Sequence, residues 1–340
     1  MRIIFALNTH INFKKSEINK IGGIEHCNFQ LAYNLMKLGL DVKLACKIKN
    51  EFKYGKLSII PINNLLSKNL SESCDFLICS NTSKFFYKQK KVNKILWLHN
   101  KLQIEKSIRK NELLSIFFNK PNCVFVSDYL KNNTAFIYPF SSKTVIPNGC
   151  SEVFLRNKRC QKRKPIFIWS IRRKKGLNEI ISMWNNLLGE KKIKAELHIY
   201  GLKKSLSMKI IKQYKVNKIK FFGIVDRKAL AKKYSYATAM IHPGYDETFC
   251  ISALEGSASG LPILTLGGTA LNERVIHNFN GIKAKNFKEI GIYIEKLLND
   301  KKLFERLSRG AISYSEKFDW KNISKKWLNL FKKIKYDKKK

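Results

Sequence analysis

The stretch MIHPGYDETFCISALEGSASGLPILTL, Met240 to Leu266, decides the fold. A short apolar strand, a turn at Pro243-Gly244, a helix and a second apolar strand follow one another, which predicts a βαβ unit. Glu247 stands just before the predicted helix, and Glu255 lies two turns into it, near the same face. Helix N-termini bind anions, and carboxylates accept hydrogen bonds from hydroxyls. The pair therefore predicts a site that holds paired hydroxyls, as in a sugar or a ribose.

Strands and helices alternate on both sides of this stretch. Near the start, Gly22-Gly23 precede a predicted helix from His26 to Leu38, which ends at Gly39. The alternation predicts an α/β fold with parallel sheets covered on both faces, built as two Rossmann-like domains facing across a cleft. The predicted strands are Ile3–Leu7, Val42–Cys46, Leu57–Ile60, Phe76–Cys79, Ile95–Leu98, Cys123–Val126, Thr144–Ile146, Ile166–Trp169, Glu196–Tyr200 and Ile219–Phe222.

The domain boundaries are predicted from length and local composition. A chain of 340 residues favours two domains. The basic stretch SEVFLRNKRCQKRKP has little apolar pattern, so we predict an interdomain linker over 151–164 without a helix or strand. Residues 1–150 then form the first domain and 165–317 the second. Residues 318–340 form a C-terminal helix with a basic tail.

The chain has 66 basic and 25 acidic residues, a net charge of +41. Such a charge concerns partners and not the fold, and nucleic acid, an anionic membrane surface and a phosphate-bearing substrate are the candidates. A compositional bias towards lysine, isoleucine and asparagine explains it equally well. The sequence has no RRM, zinc-binding or helix-turn-helix signature, and its aromatic residues follow core periodicity, so we expect no nucleic-acid partner.

Cysteine spacing and hydropathy indicate the compartment. The eight cysteines form no C-x-x-C pair, which argues against a zinc knuckle or a redox pair and favours reduced core residues in the cytosol. The first apolar run is too short for a signal peptide, and no window approaches the roughly 20 apolar residues of a membrane span. We expect a cytoplasmic protein whose contact with a membrane is peripheral.

A basic loop, Arg172-Arg173-Lys174-Lys175-Gly176, follows a predicted strand and opens a helix from Asn178 to Leu188. Cations at the carboxyl end of a strand, with helix N–H groups beside them, can hold a diphosphate, although many charge runs are only solvated surface. The sequence has no Asp-x-Asp pair and no cluster of His or Cys. We therefore expect no metal and no cofactor.

His99 follows the predicted strand Ile95–Leu98, where ligands of open α/β sheets bind. A ligand-contacting histidine and a loop-capping histidine fit this position equally well.

These motifs resemble the family-4 retaining glycosyltransferases of the GT-B fold. The Glu247 to Glu255 block, Glu, seven residues, Glu, is highly specific in this context, whereas a glycine pair alone is not. Thr248 and Cys250 depart from the family pattern, which often has glycines beside the first glutamate. The resemblance covers most of the chain and also includes Gly22 to Glu25, Val145 to Gly149, Arg172 to Leu177, Phe221 to Gly223, and Gly260 to Pro262.

The resemblance implies a metal-independent enzyme that transfers a sugar, with retention, from a UDP-sugar or GDP-sugar to a hydroxyl. Glu247 would contact the donor sugar, Glu255 would hold the ribose hydroxyls, and His99 would lie near the sugar or the acceptor. Lys175, with either Arg172 or Arg173, would bind the diphosphate. The remaining donor-binding residues would be Gly22, Gly23, Thr248, and, through backbone N–H groups that cap the phosphates, Phe249, Cys250 and Ile251.

Two basic segments have apolar residues at helical spacing and bear on where the acceptor is bound. Lys101 to Lys120 and Trp320 to Lys340 can each lie on an anionic bilayer or pack an apolar face on a domain. For the second segment we favour packing, because the last helix of this fold commonly returns to the first domain; for the first, both readings stay open. The expected acceptor is a glycan or glycolipid of lipopolysaccharide, capsule or other surface-glycan assembly, at the inner face of the plasma membrane.

Three other readings compete with this one. A GT-B phosphorylase or sugar epimerase would share the double-Rossmann shape and would need free phosphate, or no acceptor at all. A basic nucleic-acid binder would explain the charge. A sugar-binding homologue without activity is disfavoured, because Glu247, Glu255 and Lys175 are all present.

Overall fold

The computed structural model describes residues 1–11, 21–66, 74–87, 89, 91–157, 163–171, 176–191, 193–213 and 218–337. They form two compact units, Met1–Gly149 with Trp320–Lys340 and Cys150–Asp319, each with its own sheet. The predicted α/β class with two Rossmann-like domains is confirmed.

The first unit is built on a largely parallel sheet. In the described part of the chain the strand order is 3-4-2-1-5-6-7-8, and only the third and fourth strands pair antiparallel. Central strands read as apolar runs because helices cover both faces of a parallel sheet. The strands are β1 (Arg2–Ala6), β2 (Asp41–Cys46), β3 (Phe52–Tyr54), β4 (Leu57–Pro61), β5 (Phe76–Ser80), β6 (Asn93–Leu98), β7 (Asn122–Phe125) and β8 (Ser142–Val145).

The second unit has a parallel sheet whose strand order, among the described residues, is 11-10-9-12-13-14. The middle of this sheet packs into the core around Phe167, Trp184 and Ile199. Its strands are β9 (Ile166–Ser170), β10 (Glu196–Tyr200), β11 (Ile219–Gly223), β12 (Ala239–Ile241), β13 (Ile263–Thr265) and β14 (Gly281–Lys283).

Helices connect these strands, together with short 3-10 turns at Ile62–Leu66 and Lys84–Phe86. In chain order the described helices are α1 (Gly23–Lys37), α2 (Ile104–Arg109), α3 (Glu112–Asn119), α4 (Asp128–Asn132), α5 (Glu152–Leu155), α6 (Leu177–Lys191), α7 (Lys204–Gln213), α8 (Arg227–Ser235), α9 (Ile251–Ala258), α10 (Leu271–Arg274), α11 (Phe287–Asn299), α12 (Lys301–Glu316) and α13 (Trp320–Asp337).

Side-chain hydrogen bonds set the ends of two helices. Helix α4 ends at Asn132, because the Asn133 amide and the Thr134 hydroxyl donate to carbonyls of the last turn. Helix α11 starts at Phe287, because the Asn286 side chain accepts the Glu289 N–H at 3.0 Å.

The predicted linker over 151–164 is wrong in its first part, which contains α5 and belongs to the second unit. Phe154 is fully buried, with its ring 5.6 Å from that of Tyr234, and the Asn157 amide donates to the Ala231 carbonyl. One buried aromatic among basic residues is enough to anchor this turn, although it leaves no periodic pattern in the sequence. Residues 158–162 lie outside the described residues.

The C-terminal helix α13 belongs to the first unit and packs its apolar face there, as expected. The Trp327 ring lies 5.1 Å from that of Trp97, and the Phe331 ring lies 4.7 Å from that of Phe76. Lys335 closes the contact with an ion pair to Asp75 at 2.9 Å. These apolar side chains are therefore not available to a membrane.

Trp327→Ala should lower the free energy of unfolding of the first unit by about 3–5 kcal/mol, because a fully buried indole leaves a cavity when it is removed. Urea denaturation followed by circular dichroism measures this change. The neighbouring exposed Lys326→Ala should stay within about 0.5 kcal/mol of wild type. Equal stability of the two variants would contradict the packing described for α13.

Candidate functional site

The loop from His242 to Cys250 connects β12 to α9 at the carboxyl edge of the second sheet. It is irregular, because Asp246 and Cys250 both have positive φ, 53° and 63°. Helix α9 therefore begins only at Ile251, and Glu255 stands just over one turn into it, not two turns as predicted. Cys250 adopts the left-handed conformation that glycine reaches without strain, at a position where the resembled family often has glycine.

Glu247 and Glu255 occupy different environments. The Glu247 side chain is 33% exposed and can meet a ligand. The Glu255 side chain is 7% exposed and forms a buried ion pair with Arg227, the first residue of α8. Sequence reasoning missed Arg227, because nothing in the sequence distinguishes it from the other basic residues of the chain. The two glutamates are therefore not equivalent hydroxyl acceptors.

His242 is a second residue that sequence reasoning missed. It is 4% exposed, and its Nε2 lies 3.5 Å from Glu247 Oε1. Burial lowers the pKa of His242, whereas Cys250 and Glu247 raise it, to about 10. Its Nδ1, however, accepts the Gly244 N–H at 3.2 Å, and a second proton on the ring would face that N–H. This geometry favours the neutral ring with its proton on Nε2, directed towards Glu247.

His242, Glu247 and Cys250 place three potential metal-ligand atoms within 4.8 Å of one another. No motif in the sequence marks this cluster, because five and three positions separate these residues. A histidine that binds a metal through Nε2 donates its Nδ1–H to an acceptor. Here Nδ1 instead faces a donor, the Gly244 N–H. The residues therefore do not fit a metal held through Nε2, and we assign no metal step.

The predicted diphosphate ligands Arg172, Arg173 and Lys175 lie outside the described residues. The residue that follows them, Gly176, has φ +76°, and a Cβ there would lie 2.6 Å from the Tyr245 ring. The end of the basic loop thus touches the His242–Cys250 loop. Strands β9 and β12, which precede the two loops, are neighbours in the sheet. The structure brings together the flank of the basic loop and the segment that carries Glu247, Thr248, Phe249, Cys250 and Ile251.

The remaining predicted site residues belong to the first unit. Gly22 is the N-cap of α1 and Gly23 its first residue, so the helix starts three residues before the predicted His26. His99 follows β6 and is 4% exposed, and its backbone N–H donates to Asn81 Oδ1 at 2.8 Å. Burial lowers the pKa of His99 to about 3. Its imidazole is therefore neutral near pH 7 and cannot act there as a cation.

A comparison with known families bears on the second unit. Residues 155–314 match the family model described as Glycosyl transferases group 1. The matched residues lie within the second unit, Cys150–Asp319. The uncharacterized glycosyltransferase MJ1607 of Methanocaldococcus jannaschii is 33% identical over 119 residues, 34% of this chain and 30% of that relative.

A Campylobacter jejuni relative is the N,N'-diacetylbacillosaminyl-diphospho-undecaprenol alpha-1,3-N-acetylgalactosaminyltransferase, 30% identical over 94 residues, 27% of this chain and 25% of that relative. The chain thus matches less than a third of the length of MJ1607 and of this transferase.

Solved glycosyltransferase structures resemble the whole chain. Sucrose-phosphate synthase from Thermosynechococcus elongatus aligns with a TM-score of 0.74 at 16% identity, over 99% of this chain and 100% of that one. WaaG, described as a glycosyltransferase involved in lipopolysaccharide biosynthesis, gives 0.69 at 14% identity over 97% and 99%. Anabaena HepE in complex with UDP and glucose gives 0.71 at 15% identity over 98% and 99%. At such identities these similarities establish the fold alone, which is GT-B as predicted.

Arg227→Leu should lower the free energy of unfolding of the second unit by about 3–5 kcal/mol, because the buried Glu255 carboxylate then loses Arg227 as its counter-ion. Urea denaturation of single and double variants gives the coupling between the two side chains. The double variant Arg227→Leu/Glu255→Leu should recover most of the loss. Additive losses in the double variant would show that the two side chains do not interact as described.

The buried His99 should make folding acid-sensitive. Its pKa is about 3 in the folded state and about 6.5 when unfolded, so the unfolded state binds an extra proton between these values. Stability from this residue is complete above pH 6.5 and falls as the pH drops towards 3. Lowering the pH from 7 to 4.5 should cost wild type about 2–3 kcal/mol more than His99→Gln. Equal acid sensitivity of both proteins in urea denaturation would contradict this assignment.

Proposed function

We propose that this protein is a retaining, metal-independent glycosyltransferase that moves a sugar from a UDP-sugar or GDP-sugar to a hydroxyl of a surface-glycan precursor. The observation that carries the proposal is the contact between the Glu247 loop and the end of the basic loop at the carboxyl edge of the second sheet. The match to the model of group 1 glycosyltransferases includes both loops and supports the proposal. Ligands of parallel α/β sheets bind at this edge.

Each site residue then has a role. Lys175 with Arg172 or Arg173 neutralises the diphosphate, and the first backbone N–H groups of α9, which lack intrahelical partners, cap it. Glu247, held by His242, contacts the donor sugar. The Glu255 carboxylate accepts hydrogen bonds from the ribose hydroxyls through lone pairs that its ion pair with Arg227 does not use. In the first unit, Gly22, Gly23 and the neutral His99 stay predicted ligand contacts.

Stabilisation of the leaving group drives the reaction in this mechanism. The glycosyl carbon becomes oxocarbenium-like as the bond to the diphosphate breaks, so cations on the departing diphosphate lower the barrier. The acceptor hydroxyl attacks from the same face, which retains configuration without a covalent glycosyl-enzyme. Glu247 then acts by organising the sugar and does not serve as a nucleophile.

A thermal-shift panel of nucleotides and nucleotide-sugars identifies the donor. A ligand at 100 times its dissociation constant should stabilise the protein by about 2.7 kcal/mol. UDP or GDP and their sugars should shift the melting temperature, whereas adenosine and free sugars should not. The absence of any shift with millimolar nucleotides and nucleotide-sugars would overturn the proposed donor class.

With that donor, Glu247→Ala or Lys175→Ala should lower turnover at least about 100-fold, the usual cost of losing a group that stabilises the transition state. Exposed Glu316→Gln in the same unit is the matched control and should keep wild-type turnover. Melting temperatures should stay close to wild type in all three variants. Wild-type turnover in both Glu247→Ala and Lys175→Ala would contradict the roles assigned to these residues.

Turnover with free phosphate in place of an acceptor would instead indicate a phosphorylase.

The first unit suggests where the acceptor is presented. No helix among the described residues is long and apolar enough to cross a membrane. Exposed apolar side chains nevertheless gather around α2, α3 and the loop after α4. Phe118 is 75% and Phe136 95% exposed, and Ile104, Ile108, Leu114, Phe117 and Ile137 are also exposed.

Cations flank these apolar side chains, among them Lys106, Arg109 and Lys110, and the apolar-and-basic combination fits an anionic bilayer. We therefore extend the proposal to a lipid-linked or lipopolysaccharide acceptor, met at the cytoplasmic face of the membrane. The Campylobacter relative, whose name includes diphospho-undecaprenol, and WaaG support this choice of acceptor class.

Vesicle co-sedimentation tests the membrane contact. Phe117→Ser/Phe118→Ser/Phe136→Ser should bind vesicles rich in phosphatidylglycerol at least tenfold more weakly than wild type, since the variant exposes no aromatic anchor there. The control Ile292→Ser/Ile312→Ser removes exposed apolar side chains from the second unit and should bind like wild type. Wild-type binding that is equal on phosphatidylglycerol and phosphatidylcholine would count against an anionic membrane surface.

A further inference from the structure

A cavity of about 540 Å³ opens in the second unit at the amino ends of β9, β10 and β11. The Glu247 loop lies at the carboxyl edge of the same sheet. Five-residue strands separate the two edges by about 16 Å, so this cavity is distinct from the proposed donor site. The residues that line it are Lys164, Pro165, Ile166, Lys194, Ala195, Glu196, His198, Lys218, Lys220 and Tyr236.

The cavity carries uncompensated positive charge. Its one lining carboxylate, Glu196, accepts from Lys220 and is bonded to His198, each at 2.7 Å. Hydrogen bonds from Lys220 and His198 hold the pKa of Glu196 below its usual range, so it stays ionised and engaged. Among the described residues, no ion pair involves the other three lysines, Lys164, Lys194 and Lys218.

One aromatic residue, Tyr236, also lines the cavity, and Lys164 Nζ lies 5.1 Å from the centre of its ring. An aromatic side chain beside a cation places an apolar group next to a positive charge. At about 540 Å³, the space is in the range of small-molecule sites and exceeds what a bare phosphate ion needs.

Chance placement of lysines does not explain this cluster well. Basic residues make up 66 of 340 positions, about one in five, whereas four of the ten lining residues are lysines. These lysines come from three separate strand ends that converge on one space.

We propose that this cavity binds a phosphate ester of about the size of a phosphorylated sugar, presented either by a soluble sugar phosphate or by a phospholipid headgroup. The lysines supply the charge, and the Tyr236 ring supplies a face for the neutral part of the ligand. The site is additional to the donor diphosphate site and does not depend on catalysis.

Lysine acetylation with an N-hydroxysuccinimide ester, read residue by residue by mass spectrometry, tests the proposal on the whole chain. The probes are glucose 6-phosphate, glucose, phosphatidylglycerol vesicles and phosphatidylcholine vesicles. Glucose 6-phosphate, phosphatidylglycerol vesicles or both should protect Lys164, Lys194 and Lys218 from acetylation at least threefold. Glucose and phosphatidylcholine vesicles are the matched controls and should not protect them. Exposed Lys332 and Lys333 on α13 should not be protected.

The pattern of protection distinguishes the sources. Protection by glucose 6-phosphate alone identifies a soluble phosphate ester, protection by phosphatidylglycerol alone identifies a headgroup, and protection by both identifies the shared chemistry. Protection by neither, or equal protection of Lys332 and Lys333, overturns the proposal. As a second measurement, Lys164→Gln/Lys194→Gln/Lys218→Gln should weaken the binding of the protecting probe at least tenfold. The charge-matched Lys325→Gln/Lys332→Gln/Lys333→Gln should change it less than twofold.

Discussion

The close approach of Gly244 to the backbone of Gly267 fixes the geometry on which the candidate site depends. A Cβ on Gly244 would overlap the Gly267 carbonyl oxygen, and φ at Gly244 is +100°, so only glycine fits there. The Thr269 hydroxyl donates to the Gly244 carbonyl at 2.8 Å, and the Ala270 N–H donates to the Glu247 carbonyl at 3.2 Å. These contacts hold the backbone of the loop, so that the Gly244 N–H donates to Nδ1 of His242. The proton on Nε2 of His242 then points towards Glu247.

Charge is arranged differently inside and outside this molecule. Most of the basic residues are solvated, and a net charge of +41 alone does not reveal which of them matter. The ion pair of Arg227 with Glu255 is buried instead, with side chains that are 10% and 7% exposed, so the charge of each side chain offsets the cost of burying the other. It ties α8 to α9, so the helix that begins beside the candidate site is anchored by electrostatics as well as by packing.

The sequence predicted the sheets well because buried parallel strands are apolar runs between glycine and polar turns, as in Phe76–Ser80. It also placed Glu247 and the basic loop in one domain, since both follow strands of the same repeating pattern. The role of His242 was not predicted, although it follows an apolar strand as His99 does, because its contact with Glu247 depends on the fold of the loop between them. The late start of α9 was not predicted either. The helix cannot begin before Ile251 because Cys250 has a positive φ, and no local sequence pattern favours that conformation at a cysteine.

The membership of α13 in the first unit has a consequence for how the protein is made. Residues 150–319, all of the second unit, separate the first 149 residues from the helix that covers Phe76 and Trp97. A ribosome adds about 5–20 residues each second, so those 170 residues take roughly 10 to 30 seconds to emerge. During that interval the helix that covers the aromatic rings of the first sheet is still missing. The surface around Trp97 is therefore completed only after the whole second unit has been synthesised.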